Sequence, residues 1–112
     1  MDSAEELLQK LGIHAIYRGY PYLVCALKLV TRNPEYLLYI TKWLYPDVAK
    51  NFHSTESSVE RSIRTAVNAC WNEGNRELLN QLAGYDLTRK PTNGEFLSIL
   101  SFYLKRRLSS QE

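Results

Sequence analysis

Residues 45–71 read YPDVAKNFHSTESSVERSIRTAVNACW, and their spacing predicts a short helix, a tight polar turn and a long helix with two chemically opposite faces. In the long helix Val59, Ile63, Ala66, Val67, Cys70 and Trp71 recur at steps of three and four, the period of one buried stripe. The opposite stripe carries Ser57, Arg61, Arg64, Thr65 and Asn68. These side chains are donors or donor-acceptors of a length suited to base edges and phosphates, and an α-helix of this size fits the major groove of B-DNA. A helix-turn-helix over about residues 45–72 is therefore expected, with the second helix, about 55–72, as the reading helix. Pro46 suits a first helical position, where its missing N–H costs nothing and its φ is already helical. Val48, Ala49 and Phe52 then give the short helix an apolar face. The turn lacks its usual Gly and has His53-Ser54-Thr55 instead; His is among the non-glycine residues enriched at positive φ. Thr55, or else Ser57 with Glu60 three residues on, can cap the long helix, and Gly74 is expected at its C′ position.

The same pattern has a plainer reading. Adjacent amphipathic helices joined by a polar turn occur in most all-α proteins, and Glu60 with Arg64 is an ordinary i,i+4 pair on a solvated face. The alternative to DNA binding is thus a helical protein-protein docking module that holds a partner helix in a groove. Salt separates the two. If four of Lys42, Lys50, Arg64, Arg89 and Lys90 reach phosphates, log K falls against log salt with a slope of about −3 to −4, whereas an apolar groove is nearly insensitive.

The flanking segments carry their own helix signals. Ser3-Ala-Glu-Glu6 is a capping box before Leu7, Leu8 and Leu11, with a stop at Gly12. Residues 13–18 are short and uncapped. Gly19-Tyr20-Pro21 can start a second helix holding Leu23, Leu27 and Val30, which should end near Asn33-Pro34 because a residue before proline avoids the α region. Residues 34–44 read as an irregular helical segment that Tyr45-Pro46 should interrupt. After Gly74, Asn75 caps a helix with Leu78, Leu79 and Leu82 that Gly84 closes. Thr92-Asn-Gly-Glu95 is a second capping box, leading into Phe96, Leu97, Ile99, Leu100, Tyr103 and Leu104 and ending on Lys105-Arg106-Arg107, cations suited to a helix C-terminus. No segment alternates with period two. The fold class is therefore all-α, with about six helices around the helix-turn-helix.

Composition bounds the function. A chain of 112 residues is one domain by length, residues 1–112. Its net charge of +2 is only mildly basic, so any DNA affinity has to come from placement of charge. Cys25 and Cys70 lie far apart in apolar helical surroundings and read as free thiols of a reducing cytoplasm. The acidic N-terminus has no apolar core segment of a signal peptide, and the apolar run Tyr20 to Leu27 is far short of a membrane span of ~20 residues. A cytoplasmic protein without membrane contact is expected. With only His14 and His53, no Cys/His cluster has zinc-ligand spacing; no Gly-rich run precedes a helix, and no nucleophile motif is present. No enzyme activity, metal or cofactor is expected. Most of the eight tyrosines fall on apolar faces, so core or boundary packing is their default.

Several runs then carry a resemblance. Gly19-Tyr-Pro-Tyr-Leu23, Ile40-Thr-Lys-Trp-Leu-Tyr-Pro-Asp47 with Ala49-Lys50, Ser58-Val-Glu-Arg-Ser-Ile-Arg64, Ala69 to Gly74, and Lys90-Pro-Thr-Asn93 with Glu95-Phe96 are similar to the C-terminal effector domain of the sporulation stage-zero protein A family. That family comprises the master sporulation response regulators of endospore-forming bacteria. The resemblance implies a six-helix, winged-helix-like response-regulator effector domain that reads a box with a TGTCGAA-like core at entry into sporulation. It also implies that Glu60 and Arg61 face base edges and that Arg64 contacts the site or its phosphates. The chemistry agrees, since Arg can bond bidentately to guanine O6 and N7 and Glu can accept from cytosine N4. Lys42, Lys50, Ser57, Ser58, Thr65, Arg89 and Lys90 are the expected backbone or supporting contacts. The implied partners are double-stranded DNA, a second copy on tandem boxes that meets its neighbour through the C-terminal helix, and RNA polymerase. The chain departs from the family pattern at Ser58 (an Arg in the family), at Thr65 (a His), and in a shorter loop from Gly84 to Pro91. The receiver domain that precedes the effector domain in the family has no counterpart in these residues. A monomer in free solution is expected, because no helix face has apolar residues left over once a core stripe is assigned.

Overall fold

Each helix of the protein starts or stops where a local signal requires it. The computed structural model describes residues 3–110, with side chains described through Arg107. The α-helices are α1 Ala4–Lys10, α2 Gly19–Arg32, α3 Tyr45–Asn51, α4 Glu56–Glu73, α5 Arg76–Ala83 and α6 Asn93–Ser110, and no strand forms among the described residues. At α1 both halves of the capping box are made: Glu6 N–H donates to Ser3 Oγ and Ser3 N–H to the Glu6 carboxylate, each at 3.1 Å. Thr92 and Glu95 repeat this at α6, at 3.1 and 2.9 Å. Thr55 Oγ1 accepts from Ser58 N–H at 3.1 Å, and Asn75 Oδ1 from Leu78 N–H at 3.0 Å, so α4 and α5 are capped as their sequences require. α5 stops at Gly84, in the left-handed region at φ 88°.

Between α2 and α3 the chain forms a 3-10 turn, Pro34–Leu38, and a π-helical turn, Ile40–Leu44. The N–H groups of Trp43 and Leu44 both point to the Tyr39 carbonyl, at 2.8 and 3.2 Å. The break expected at Tyr45-Pro46 does not occur: the π turn runs straight into α3. Pro46 lies in the first turn of α3, where a missing N–H costs no helical bond.

One apolar core joins all six helices. Leu7 and Leu8 of α1, Leu23 and Leu27 of α2, Val48 of α3, Val59, Ile63 and Val67 of α4, Leu79 of α5, and Phe96, Leu97 and Leu100 of α6 are buried in it. α4 lies centrally, against α2, α3 and α6. Six of the tyrosines, Tyr17, Tyr20, Tyr22, Tyr36, Tyr45 and Tyr103, are buried in the core or packed against it, as the apolar stripes imply.

Three apolar expectations need correction. Phe52 is not part of the α3 stripe but follows the helix, 41% exposed and edge-to-face with Tyr22 at 5.2 Å. Trp71 is half-buried, with the Arg76 guanidinium 3.8 Å from its ring centroid. Apolar side chains are left over outside the core: Leu38 is 74% and Phe102 65% exposed, and Tyr39 and Trp43 stand out beside Leu38. For Leu38, Tyr39 and Trp43 the reason is local: turns of 3-10 and π type have no face of period 3.6, so they cannot direct all of their large side chains inward.

Candidate nucleic-acid interface

The turn between α3 and α4 is two-sided. Ser54 N–H reaches back to the Ala49 carbonyl at 2.9 Å, and Ser54 Oγ meets the Tyr22 hydroxyl at 3.0 Å. His53 takes the positive φ, 51°, that the turn needs in place of glycine. α4 leaves this turn with Val59, Ile63, Ala66, Val67 and Cys70 buried. Burial pushes the Cys70 thiol up to about 11, so it packs as an apolar side chain, and Cys25 is likewise a free thiol. Gly19 starts α2 directly against α4, where any Cβ would meet the Ser62 carbonyl and Ala66. That close crossing turns the opposite side of α4 outward.

The outward edge holds Ser57, Arg61, Arg64 and Thr65, all exposed. Arg61 makes no ion pair among the described residues. Arg64 Nη1 lies 3.2 Å from Glu60 Oε2, with the Glu60 side chain 35% and the Arg64 side chain 53% exposed. Glu60 therefore sits at the rim of the edge and is turned along the helix by Arg64. Ser58 is half-buried on the other flank, its N–H on Thr55. Asn68 departs from expectation. It is half-buried and its Oδ1 is enclosed without a hydrogen-bond partner among the described residues, so the exposed edge ends near Thr65.

The expected supporting cations divide. Lys42, on the π turn, Lys50, on α3, and Lys90, in the loop before α6, are exposed and make no ion pair among the described residues. Arg89 is engaged: its guanidinium forms a two-pronged pair with Glu95, 2.9 Å on each arm, and donates to the Lys90 carbonyl at 3.2 Å. Arg89 and the Thr92 N–H together hold the Glu95 carboxyl down to about 2, far below the usual carboxylate range. The loop that carries Lys90 is thus stapled to the first turn of α6.

One group was not recognisable in the sequence. Asn93 Nδ2 donates to Tyr45 Oη at 3.0 Å and to the Glu60 main-chain carbonyl at 3.2 Å, joining α6 to α3 and α4. Burial raises the Tyr45 hydroxyl above its ordinary value, with the Asn93 hydrogen bond opposing. The only sequence trace of this contact is an Asn after the capping Thr92, and an Asn at that place reads as a routine helix start.

The arrangement is a long helix packed on three others, showing a cationic and hydroxyl-bearing edge, with separate exposed lysines on α3 and in the loop before α6. No described helix is long and apolar enough to cross a membrane. The family described as sporulation initiation factor Spo0A C terminal matches residues 4–104, nearly the whole chain. The chain belongs to that family, and is a DNA-binding regulatory effector domain of sporulation initiation.

Proposed function

We propose that α4 is the reading helix and that it enters the major groove of a box with a TGTCGAA-like core. The observation that supports this reading is the exposed edge Ser57, Arg61, Arg64 and Thr65, directly opposite five buried side chains of the same helix. Arg61, exposed and without a carboxylate partner among the described residues, bonds bidentately to a guanine; Glu60 accepts from a cytosine; Arg64 lies along the site or its phosphates. Lys50, Lys42 and Lys90 contact phosphates, and Ser57, Ser58 and Thr65 line the groove. Arg89 acts chiefly by holding its loop, because Glu95 already occupies its guanidinium. Residues 1–112 work as one effector domain. Two copies bind tandem boxes and meet through α6, whose Phe102 is exposed beneath the Arg106 guanidinium.

The test is a titration of three variants on a TGTCGAA-type duplex and on a scrambled one. Arg61→Ala is expected to cost about 1–3 kcal/mol on the matched duplex and much less on the scrambled one. Glu60→Ala relaxes discrimination at one cytosine without weakening non-specific binding. Lys50→Ala weakens both duplexes alike. Equal loss on both duplexes for Arg61→Ala would make Arg61 a phosphate clamp and remove the proposed base contact.

A further inference from the structure

The start of α6 touches the reading helix through directional bonds as well as apolar packing. Pro91 is buried, Thr92 caps α6, and Asn93, the first residue of α6, spans from Tyr45 in α3 to the carbonyl of Glu60 in α4. Glu60 precedes Arg61 and pairs through its side chain with Arg64. One amide thus meets the backbone of α4 within the segment proposed to face the bases, yet Asn93 itself is half-buried behind that segment.

The physical role follows from the difference between two kinds of contact. Apolar burial scales with area and has no direction, so by itself it fixes the relative rotation of two packed helices less sharply than a directional bond does. A hydrogen bond weakens steeply with angle and distance. Inside a helix the Glu60 carbonyl already accepts from the N–H four residues on, so the bond from Asn93 uses the remaining lone pair and adds little to the helix itself. What it adds is a fixed distance between α4 and the start of α6, with Tyr45 fixing the same amide to α3. The burial of Tyr45, 6% exposed, keeps competing water away.

We propose that Asn93 is a positioning residue for DNA discrimination: its two bonds set the rotation of α4 about its axis, and so the aim of Glu60 and Arg61. The inference rests on α4 being the reading helix. Asn93 touches no base and no phosphate.

Two variants test it. Asn93→Ala removes the amide. Tyr45→Phe combined with Asn93→Leu removes both side-chain partners while keeping net charge and bulk, an exchange that is close to neutral for stability when both partners go together. Each is titrated on the TGTCGAA-type and scrambled duplexes at several salt concentrations, beside the wild type and Arg61→Ala. Expected is a fall of about tenfold in the ratio of the two affinities, in the range of one misaimed bidentate contact. Affinity for the scrambled duplex and the salt slope stay at wild-type values. Should Asn93→Ala fail to fold, the double variant decides. Wild-type discrimination in a folded variant, with Arg61→Ala still collapsing it, would overturn the role of Asn93 and leave the reading helix standing. Equal loss on both duplexes with a shallower salt slope would also overturn it, because Asn93 would then be touching phosphate. A wild-type chain that does not distinguish the duplexes would defeat the reading of α4 itself.

Discussion

Gly74 and Gly84 each end a helix, and substitution at the two positions is expected to fail for different reasons. At Gly74 the backbone is extended, φ −90° and ψ −162°, a conformation open to any residue. The obstacle is space. A Cβ there would lie 2.9 Å from Cys70 Cα and closer still to the carbonyl oxygens of Leu11 and Cys70. All three are backbone atoms, so none can swing aside as a side chain would. Relief from the Leu11 carbonyl requires the end of α4 to back away from the end of α1, which breaks the bond from Asn75 N–H to that carbonyl, 3.1 Å, while the crowding against Cys70 lies within the last turn of α4 and is not relieved by that movement. The lost bond costs about 1 kcal/mol and the overpacking about 1–3 kcal/mol. The stiffer unfolded chain returns about 0.4–1 kcal/mol. Gly74→Ala should therefore destabilise by about 1–3.5 kcal/mol, a fall in Tm on the order of 10 °C at the middle of that range for a chain of this size. Gly74→Asn should be no better. At Gly84 no atom of the described residues lies within 4 Å of a Cβ, but φ is 88°. Gly84→Ala should cost about 1–2 kcal/mol, and Gly84→Asn should recover much of it because Asn tolerates left-handed backbone. Urea and thermal unfolding of the four variants measure this directly. If Gly74→Asn were as stable as wild type while Gly74→Ala was not, Gly74 would be serving as an ordinary left-handed cap, and the crowding argument would be wrong.

The Glu95 carboxyl is held at about 2, below its ordinary 4.5, so the stability it contributes is fully present above pH 4.5 and is lost as pH falls toward 2. The Tm advantage of wild type over Glu95→Gln should accordingly narrow between pH 5 and pH 2 in calorimetry, and an advantage independent of pH would discount the Arg89 pair as its source. Arg64→Ala breaks only a solvent-exposed i,i+4 pair, so unfolding free energy should change by less than about 0.5 kcal/mol. Its salt slope for DNA should fall by about 1; an unchanged slope would place Arg64 away from phosphate.

Much of this fold is legible in local sequence. The caps at Ser3, Thr55, Asn75 and Thr92, the stop at Gly84 and the positive φ at His53 all form within a few residues of chain. Period 3.6 likewise identified the buried stripe of α4 and the exposed edge from Ser57 to Thr65. Periodicity gives the direction of a face but not what lies opposite it. Asn68 lies on the polar side by spacing and is nonetheless enclosed, and Trp71 lies on the apolar side and is only half-buried, under Arg76. Gly74 reads as a local cap, yet it is constrained by Leu11, which only the packing of α1 against the end of α4 brings near. Arg89 looked like a free cation until the loop folded it onto Glu95. Asn93 and Tyr45 are 48 positions apart. Their meeting depends on how α3, α4 and α6 stack, and long-range packing of that kind leaves no spacing signal in the chain, because its specificity resides in the shape of the assembled core.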